Sequence, residues 1–190
     1  LGSMFGSGHY GIEPDFITIA KGLTSAYAPL SGSIVSDKVW KVLEDGTDEF
    51  GPIGHGWTYS AHPVCTAAGV ANLKLIDELD LVANAGAVGA YLKAAMQQAL
   101  GAHPYVGDIR GEGMLCAVEL TTDKQTRAPF DPAVKAGPSV VAGMLARNVI
   151  ARAMPQGDII GLAPPMCLTR AEADLVVAAT KEALDDFNPV

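Results

Sequence analysis

Basic residues are scarce in this chain: 13 lysines and arginines stand against 21 aspartates and glutamates, a formal charge of −8 over 190 residues. Nucleic acid and anionic membrane surfaces both demand a basic footprint, so neither is an expected partner. Cysteine is rarer still. Cys65, Cys116 and Cys167 stand singly in apolar stretches without CxxC spacing, which predicts buried core thiols in a reducing compartment rather than disulfides or metal ligands. His9, His55, His62 and His103 have no mutual spacing suited to a metal, and no metal is expected. No uninterrupted apolar run is long enough to cross a bilayer, and the opening LGSMFGSGHYG lacks the basic-then-apolar pattern of a secretory signal. The expected location is cytoplasmic. Neither Gly6-Ser7-Gly8 nor Gly111-Glu112-Gly113 carries a full dinucleotide loop, which disfavours a nicotinamide enzyme.

Hydrophobic residues are plentiful at 49%, enough for one or two modest packed domains. The glycine-rich opening has no helix cap or strand alternation before it, so the chain is expected to enter in mid-fold, with an upstream segment of the same polypeptide missing. Phe16 to Ala20 reads as a short buried strand that delivers Lys21 into Gly22. Ser31 to Val35 reads as a second strand. Ser36 caps a helix through Leu43 that Gly46 ends, and Asp45 to Gly56 reads as a mobile loop. Pro63 opens a helix whose Val64, Ala68, Ala71, Leu75 and Leu79 share a face. Ala85, Gly89, Leu92, Met96 and Ala99 continue the period to Gly101. Two strand-like runs flank Gly111-Glu112-Gly113, Ala136 to Arg147 reads as a helix, and Ile150 to Ala153 and Ile159 to Ala163 read as strands. Thr169 with Glu172 makes a capping box for a last helix whose Ala171, Leu175, Val176, Ala179 and Ala183 face inward.

Lys21 asks for a reason. Desolvating an ammonium is costly unless the amine is neutral, paired or covalently used, and a neutral amine is a nucleophile able to form an imine with an aldehyde. On position alone, a surface lysine at a strand end is the competing reading.

Sequence context decides between them. Asp15-Phe16-Ile17-Thr18-Ile19-Ala20-Lys21-Gly22-Leu23, followed by Tyr27-Ala28-Pro29-Leu30-Ser31-Gly32, resembles the cofactor-lysine segment of the class III aminotransferases, in particular the ω-amino acid and amine transaminase branch. Further similar segments follow in order: Gly54 to Ser60 with His62-Pro63, Val106 to Gly111, Gly157-Asp158 and Pro164-Pro165. The resemblance covers the whole chain. It implies an α/β fold of fold-type I, in which residues 1–67 end a large parallel-sheet domain, 68–100 are connecting helices and 101–190 form a small C-terminal α+β domain. It also implies a homodimer with interface active sites, and pyridoxal 5'-phosphate as cofactor.

By that resemblance Lys21 holds the cofactor as a Schiff base and then moves protons as general acid and base. Thr58 reaches the cofactor phosphate across the interface; without the family it is merely a loop threonine. Trp57 walls the substrate pocket, or anchors its loop. Arg152 pairs with a substrate carboxylate through its planar fork, or is a solvated charge at a strand end. The implied reaction moves an amino group from an ω-amino acid or amine to a keto acid such as pyruvate. Racemases, aminomutases and decarboxylases share this fold and lysine, and a non-catalytic fragment is a further alternative. The family's ring-nitrogen aspartate and glycine-rich phosphate loop lie upstream of its lysine, so these 190 residues alone are not expected to transaminate.

Overall fold

The structure is a computed structural model that describes residues 1–189. The chain divides into two compact units, Phe5–Leu81, and Leu1–Met4 together with Val82 to the C-terminal end. None of the helices among the described residues is long and apolar enough to cross a membrane.

In the first unit, a short helical turn α1 (Gly6–His9) precedes β1 (Phe16–Ile19), which pairs antiparallel with β2 (Gly32–Val35), Phe16 opposite Val35 and Ile19 opposite Gly32. The parallel sheet implied by the resemblance is not built from these strands. Parallel neighbours need a crossover, usually a helix, and only a tight turn and an extended run join β1 to β2. Nor is β1 buried: its residues alternate between exposed and half-buried, with Phe16 61% exposed. The hairpin is tied at its open end. Ser36 Oγ donates to Asp15 Oδ1 at 2.8 Å while accepting from the Val39 N–H, and Lys38 pairs with Asp15 at 3.2 Å. These hydrogen bonds, Ser36's first, hold the Asp15 carboxyl below its usual range.

Ser36 caps α2 (Asp37–Phe50) as the sequence predicts, but the helix runs through Gly46 rather than ending there, so the first part of the expected loop is helical. A mid-helix glycine costs only about 1 kcal/mol relative to alanine, and the stop is supplied by Gly51, whose φ of 80° a side chain would resist. Helix α3 (Pro63–Glu78) starts with proline at its first turn. Its buried face is Gly69 and Ile76, with Cys65 and Asn72 half-buried, whereas Val64, Leu75 and Leu79 of the predicted face are exposed. The predicted stripe is one residue out of phase. A helix with apolar residues on more than one side leaves the period ambiguous, and the packing partner chooses the side: Gly69 faces Leu30, the Leu23 carbonyl and Thr24.

The second unit places three helices, α4 (Leu81–Leu100), α5 (Ala136–Leu145) and α6 (Arg170–Asp185), with an antiparallel sheet of order β3-β4-β6-β5, formed by Val106–Glu112, Leu115–Leu120, Ile159–Leu162 and Arg152–Ala153. Strand β4 turns Cys116, Val118 and Leu120 inward and β6 turns Ile160 and Leu162 inward, meeting Val88, Leu92, Met96, Val140, Met144 and Leu184 in one core. Each such side chain stabilises by about 1.5–3 kcal/mol on burial. The capping box at Thr169 forms in both directions, and α6 buries Ala173, Ala179, Thr180, Ala183 and Leu184. Leu175, predicted inward, is exposed. Of the cysteines only Cys116 is buried; Cys65 is half-buried and Cys167 is exposed, because it lies in the turn after Pro164-Pro165 rather than in an element that packs. Burial pushes the Cys116 thiol up, in keeping with an inert core role.

Candidate functional site

Lys21 begins a 3-10 turn, Lys21–Thr24, directly after β1. Its backbone is left-handed, with φ 49°, as are Ser25 at 49° and Ala26 at 62°. Three such residues in six are costly, since a side chain in that region costs roughly 1–2 kcal/mol. Gly22, which could adopt it freely, does not. Hydrogen bonds over-determine the turn: Leu23 N–H to the Ala20 carbonyl at 3.1 Å, Ala26 N–H to the Lys21 carbonyl at 3.1 Å, and the buried Thr24 hydroxyl to the Ala28 carbonyl at 2.6 Å. Helix α3 completes it. Asn72 Nδ2 donates to the Gly22 carbonyl at 2.8 Å and the Leu23 carbonyl at 3.2 Å, and its Oδ1 accepts from Ser25 Oγ at 2.6 Å.

Sequence reasoning expected the Lys21 amine to be dry, and here the structure corrects it: the side chain is exposed. Two-stranded β1–β2 lays nothing over its own end. Among the described residues no hydrogen bond or ion pair holds Lys21 Nζ.

Trp57 and Thr58 lie in the same unit as Lys21, on the segment before α3. Trp57 N–H donates to Ser60 Oγ at 3.0 Å and Ser60 N–H returns to the Trp57 carbonyl at 2.9 Å, a closed turn that presents both side chains outward. The Trp57 indole is 75% exposed and meets only the edge of the His55 ring among the described aromatic pairs. Thr58 is exposed. No hydrogen bond or ring contact joins either to Lys21 among the described residues. His62, next to α3, has a buried Nδ1 with no partner.

Arg152 lies in the other unit, at the start of the short β5, and is exposed. It lines a concavity of about 750 Å³ together with Arg110, Met154, Gln156 and Leu162. The two arginines differ. Arg110 is bound by Asp108 at 2.9 Å and by Glu119, which hold its guanidinium proton more tightly. No carboxylate pairs with Arg152 among the described residues, so it is the cation of that hollow able to accept an anion.

The family model for aminotransferase class-III matches residues 1–184. The chain belongs to the class-III aminotransferases. It is 58% identical over 184 residues to the diaminobutyrate–2-oxoglutarate transaminase of Halomonas elongata, covering 97% of this chain and 39% of that protein. It is 38% identical to the putrescine–pyruvate aminotransferase of Pseudomonas aeruginosa, over 97% of this chain and again 39% of the relative. Among solved structures, a transaminase obtained by ancestral reconstruction superposes with a TM-score of 0.94 at 57% identity, over 98% of this chain and 41% of that one. An (S)-enantioselective ω-transaminase from Thermomicrobium roseum superposes at 0.88 with 40% identity, over 97% and 40%. The class-III chain thus spans about two fifths of the length of these relatives.

Members of this family use pyridoxal phosphate, and the donors present suit it: an unpaired amine, and an exposed threonine hydroxyl close before the N-terminus of α3. Asn72 and Ser25 were not singled out from sequence. The signal was there, since Asn72 is the one polar residue between Ala67 and Leu73, and asparagine in a helix interior asks for a partner.

Proposed function

We propose that the polypeptide carrying this chain is a pyridoxal-phosphate-dependent transaminase that moves an amino group from an ω-amino acid or a small amine to a keto acid. The observation that carries this is Lys21: a free amine on a conformationally costly turn, within a sequence that the class-III family matches almost end to end. Bound pyridoxal phosphate supplies an aldehyde carbon and an electron-withdrawing ring.

Lys21 Nζ would hold the cofactor through that carbon. With the cofactor bound, the Lys21 amine would serve as the base that takes a proton from the substrate carbon and as the acid that returns it. The Thr58 hydroxyl and N–H bind phosphate oxygens, and in a fold-type I homodimer they serve the partner subunit's site. Trp57 walls the substrate pocket with its indole face. Arg152 fixes a substrate carboxylate by its planar fork and leaves the pocket when the substrate is an uncharged amine. The likeness to a diaminobutyrate and to a putrescine transaminase supports a donor with a terminal primary amine.

The test is a donor screen on the full-length polypeptide loaded with cofactor, with pyruvate or 2-oxoglutarate as acceptor. Keto-acid-dependent consumption of a terminal amine, lost in Lys21→Ala, is the expected result. Racemisation or decarboxylation that proceeds without a keto acid would overturn it in favour of another reaction on the same lysine.

A further inference from the structure

We propose that Asn72 is a positioning residue for the reactive lysine: from α3 it clamps the Lys21–Thr24 turn and thereby sets where the amine is delivered. This rests on the reading of Lys21 as the cofactor lysine. Three observations carry it. The turn is high in backbone energy, with left-handed φ at Lys21, Ser25 and Ala26, and such conformations persist only where the surroundings over-determine them. Asn72 uses both amide hydrogens and its carbonyl oxygen on that turn, bonding residues 22, 23 and 25, which are the three nearest neighbours of Lys21 on its C-terminal side save Thr24. The approach is also close. Gly69, one turn earlier on the same face, shows how near α3 lies to the turn: a Cβ there would be 3.8 Å from the Leu23 carbonyl oxygen and 3.9 Å from Thr24 Cγ2.

The amide is specific to the task. Gly22 and Leu23 present carbonyl oxygens and need donors, while Ser25 Oγ donates and needs an acceptor. Aspartate would satisfy Ser25 and set a carboxylate against two carbonyl oxygens; leucine would fill the space and satisfy none. Asn72 itself touches neither substrate nor cofactor in this assignment. Its effect passes through the backbone of the turn, so it alters how fast and at what geometry the amine reacts.

The experiment uses the full-length polypeptide freed of cofactor. Three quantities are read: the rate at which added pyridoxal phosphate forms a borohydride-trappable adduct mapped to Lys21, amide hydrogen exchange of residues 21–27 without cofactor, and the melting temperature. For Asn72→Asp and Asn72→Leu, adduct formation slows by about 10-fold or more and exchange in the turn accelerates by a similar factor, with protection in α4 to α6 unchanged. Asn72→Gln, which keeps the same groups one methylene further out, recovers part of the rate. Folded Asp and Leu variants that match the wild type in both adduct rate and turn exchange would overturn the proposal. So would a lower melting temperature with the Lys21 rate intact, which is the mark of a merely structural asparagine. Should neither variant fold, Ser25→Ala probes the same network from its exposed side: faster exchange at residues 22–26 supports the clamp, and unchanged exchange refutes it. If the wild type forms no adduct at Lys21, the proposed function fails, whereas the exchange comparison still decides the role of Asn72.

Discussion

The same substitution at two helical glycines should be nearly silent at one and destabilising at the other. At Gly69 an added Cβ would meet Leu30 Cδ2 at 2.9 Å, with the Leu23 carbonyl at 3.8 Å and Thr24 Cγ2 at 3.9 Å. The one close atom is the tip of a flexible side chain. It needs to retreat by a few tenths of an ångström, and the helix gains about 1 kcal/mol in propensity, so Gly69→Ala is expected within about 0.5 kcal/mol of the wild type. At Gly89 the added Cβ would lie 2.1 Å from the carbonyl carbon and 2.2 Å from the carbonyl oxygen of Gly113, where carbon contacts belong at about 3.5 Å. Those atoms are backbone at the β3–β4 turn, and Gly113 is itself pressed against Leu1, its own Cβ position lying 2.6 Å from Leu1 Cα. More than 1 Å of main-chain displacement has no room to occur. Overpacking of about 3 kcal/mol outweighs the propensity gain of about 1 kcal/mol, leaving a loss near 2 kcal/mol. At about 4 °C per kcal/mol, Gly89→Ala should melt roughly 8 °C below the wild type, followed by circular dichroism on heating, while Gly69→Ala stays within about 2 °C. Equal melting of the two variants would refute the reasoning that backbone contacts, not helix propensity, decide these sites.

Further outcomes follow from single contacts. Burial lowers the proton affinity of His103 against the pull of Asp185 at 4.0 Å, so the folded state binds fewer protons than the unfolded one just below pH 6.5. Stability should therefore be fully present above that pH and fall as the pH drops through the folded value; His103→Gln should flatten this slope in urea titrations at stepped pH. Thr169→Ala removes the hydroxyl that accepts from the Glu172 N–H and should cost about 1 kcal/mol by chemical denaturation, with Glu172→Gln milder because it keeps a side-chain acceptor. Lys21→Ala and Lys21→Gly both lose the borohydride-trappable adduct, but glycine relieves the left-handed backbone and should be the more stable of the two by about 1 kcal/mol in denaturant titration.

Elements whose ends carry their own chemistry were legible in the sequence. The Thr169 capping box, Pro63 at the first turn of α3, Ser36 before α2 and the glycine turn between β3 and β4 all form where local rules put them. Helix α4 was legible for a different reason: its apolar stripe is repeated long enough over twenty residues to fix one face. What failed was phase and burial. Helices α3 and α6 carry alanine, valine and leucine on more than one side, so which side is inward depends on the neighbour, and the neighbour of α3 is a turn with a polar rim rather than an apolar sheet. The same limit explains Lys21. A β-branched run reads as a buried strand, yet burial needs covering layers, and β1 has β2 alone as its main partner among the described elements. For the candidate site, the segments around Lys21 and Thr58 resembled the family to which the chain belongs, while Asn72 escaped because it acts through three hydrogen bonds made about fifty residues away in sequence.

The exposure of Lys21 changes what this stretch of chain contributes to the proposed chemistry. If burial by its own strand prepared the amine, the turn could have relaxed, with Gly22 taking the left-handed position that glycine occupies at no cost. Instead the left-handed φ falls on Lys21 itself and on Ser25 and Ala26, while Gly22 stays outside that region. A lysine so placed points its Cα–Cβ bond in a direction that an extended or helical backbone at the strand end would not give, and the backbone holds it there through bonds to Ala20, Ala26 and Asn72-clamped neighbours. The stretch therefore supplies direction, and in the proposed chemistry the exclusion of water from the amine falls to groups other than β1 and its turn. Direction and dryness are then separable, so changes at Asn72 should alter the geometry of reaction without altering how well the assembled site excludes solvent.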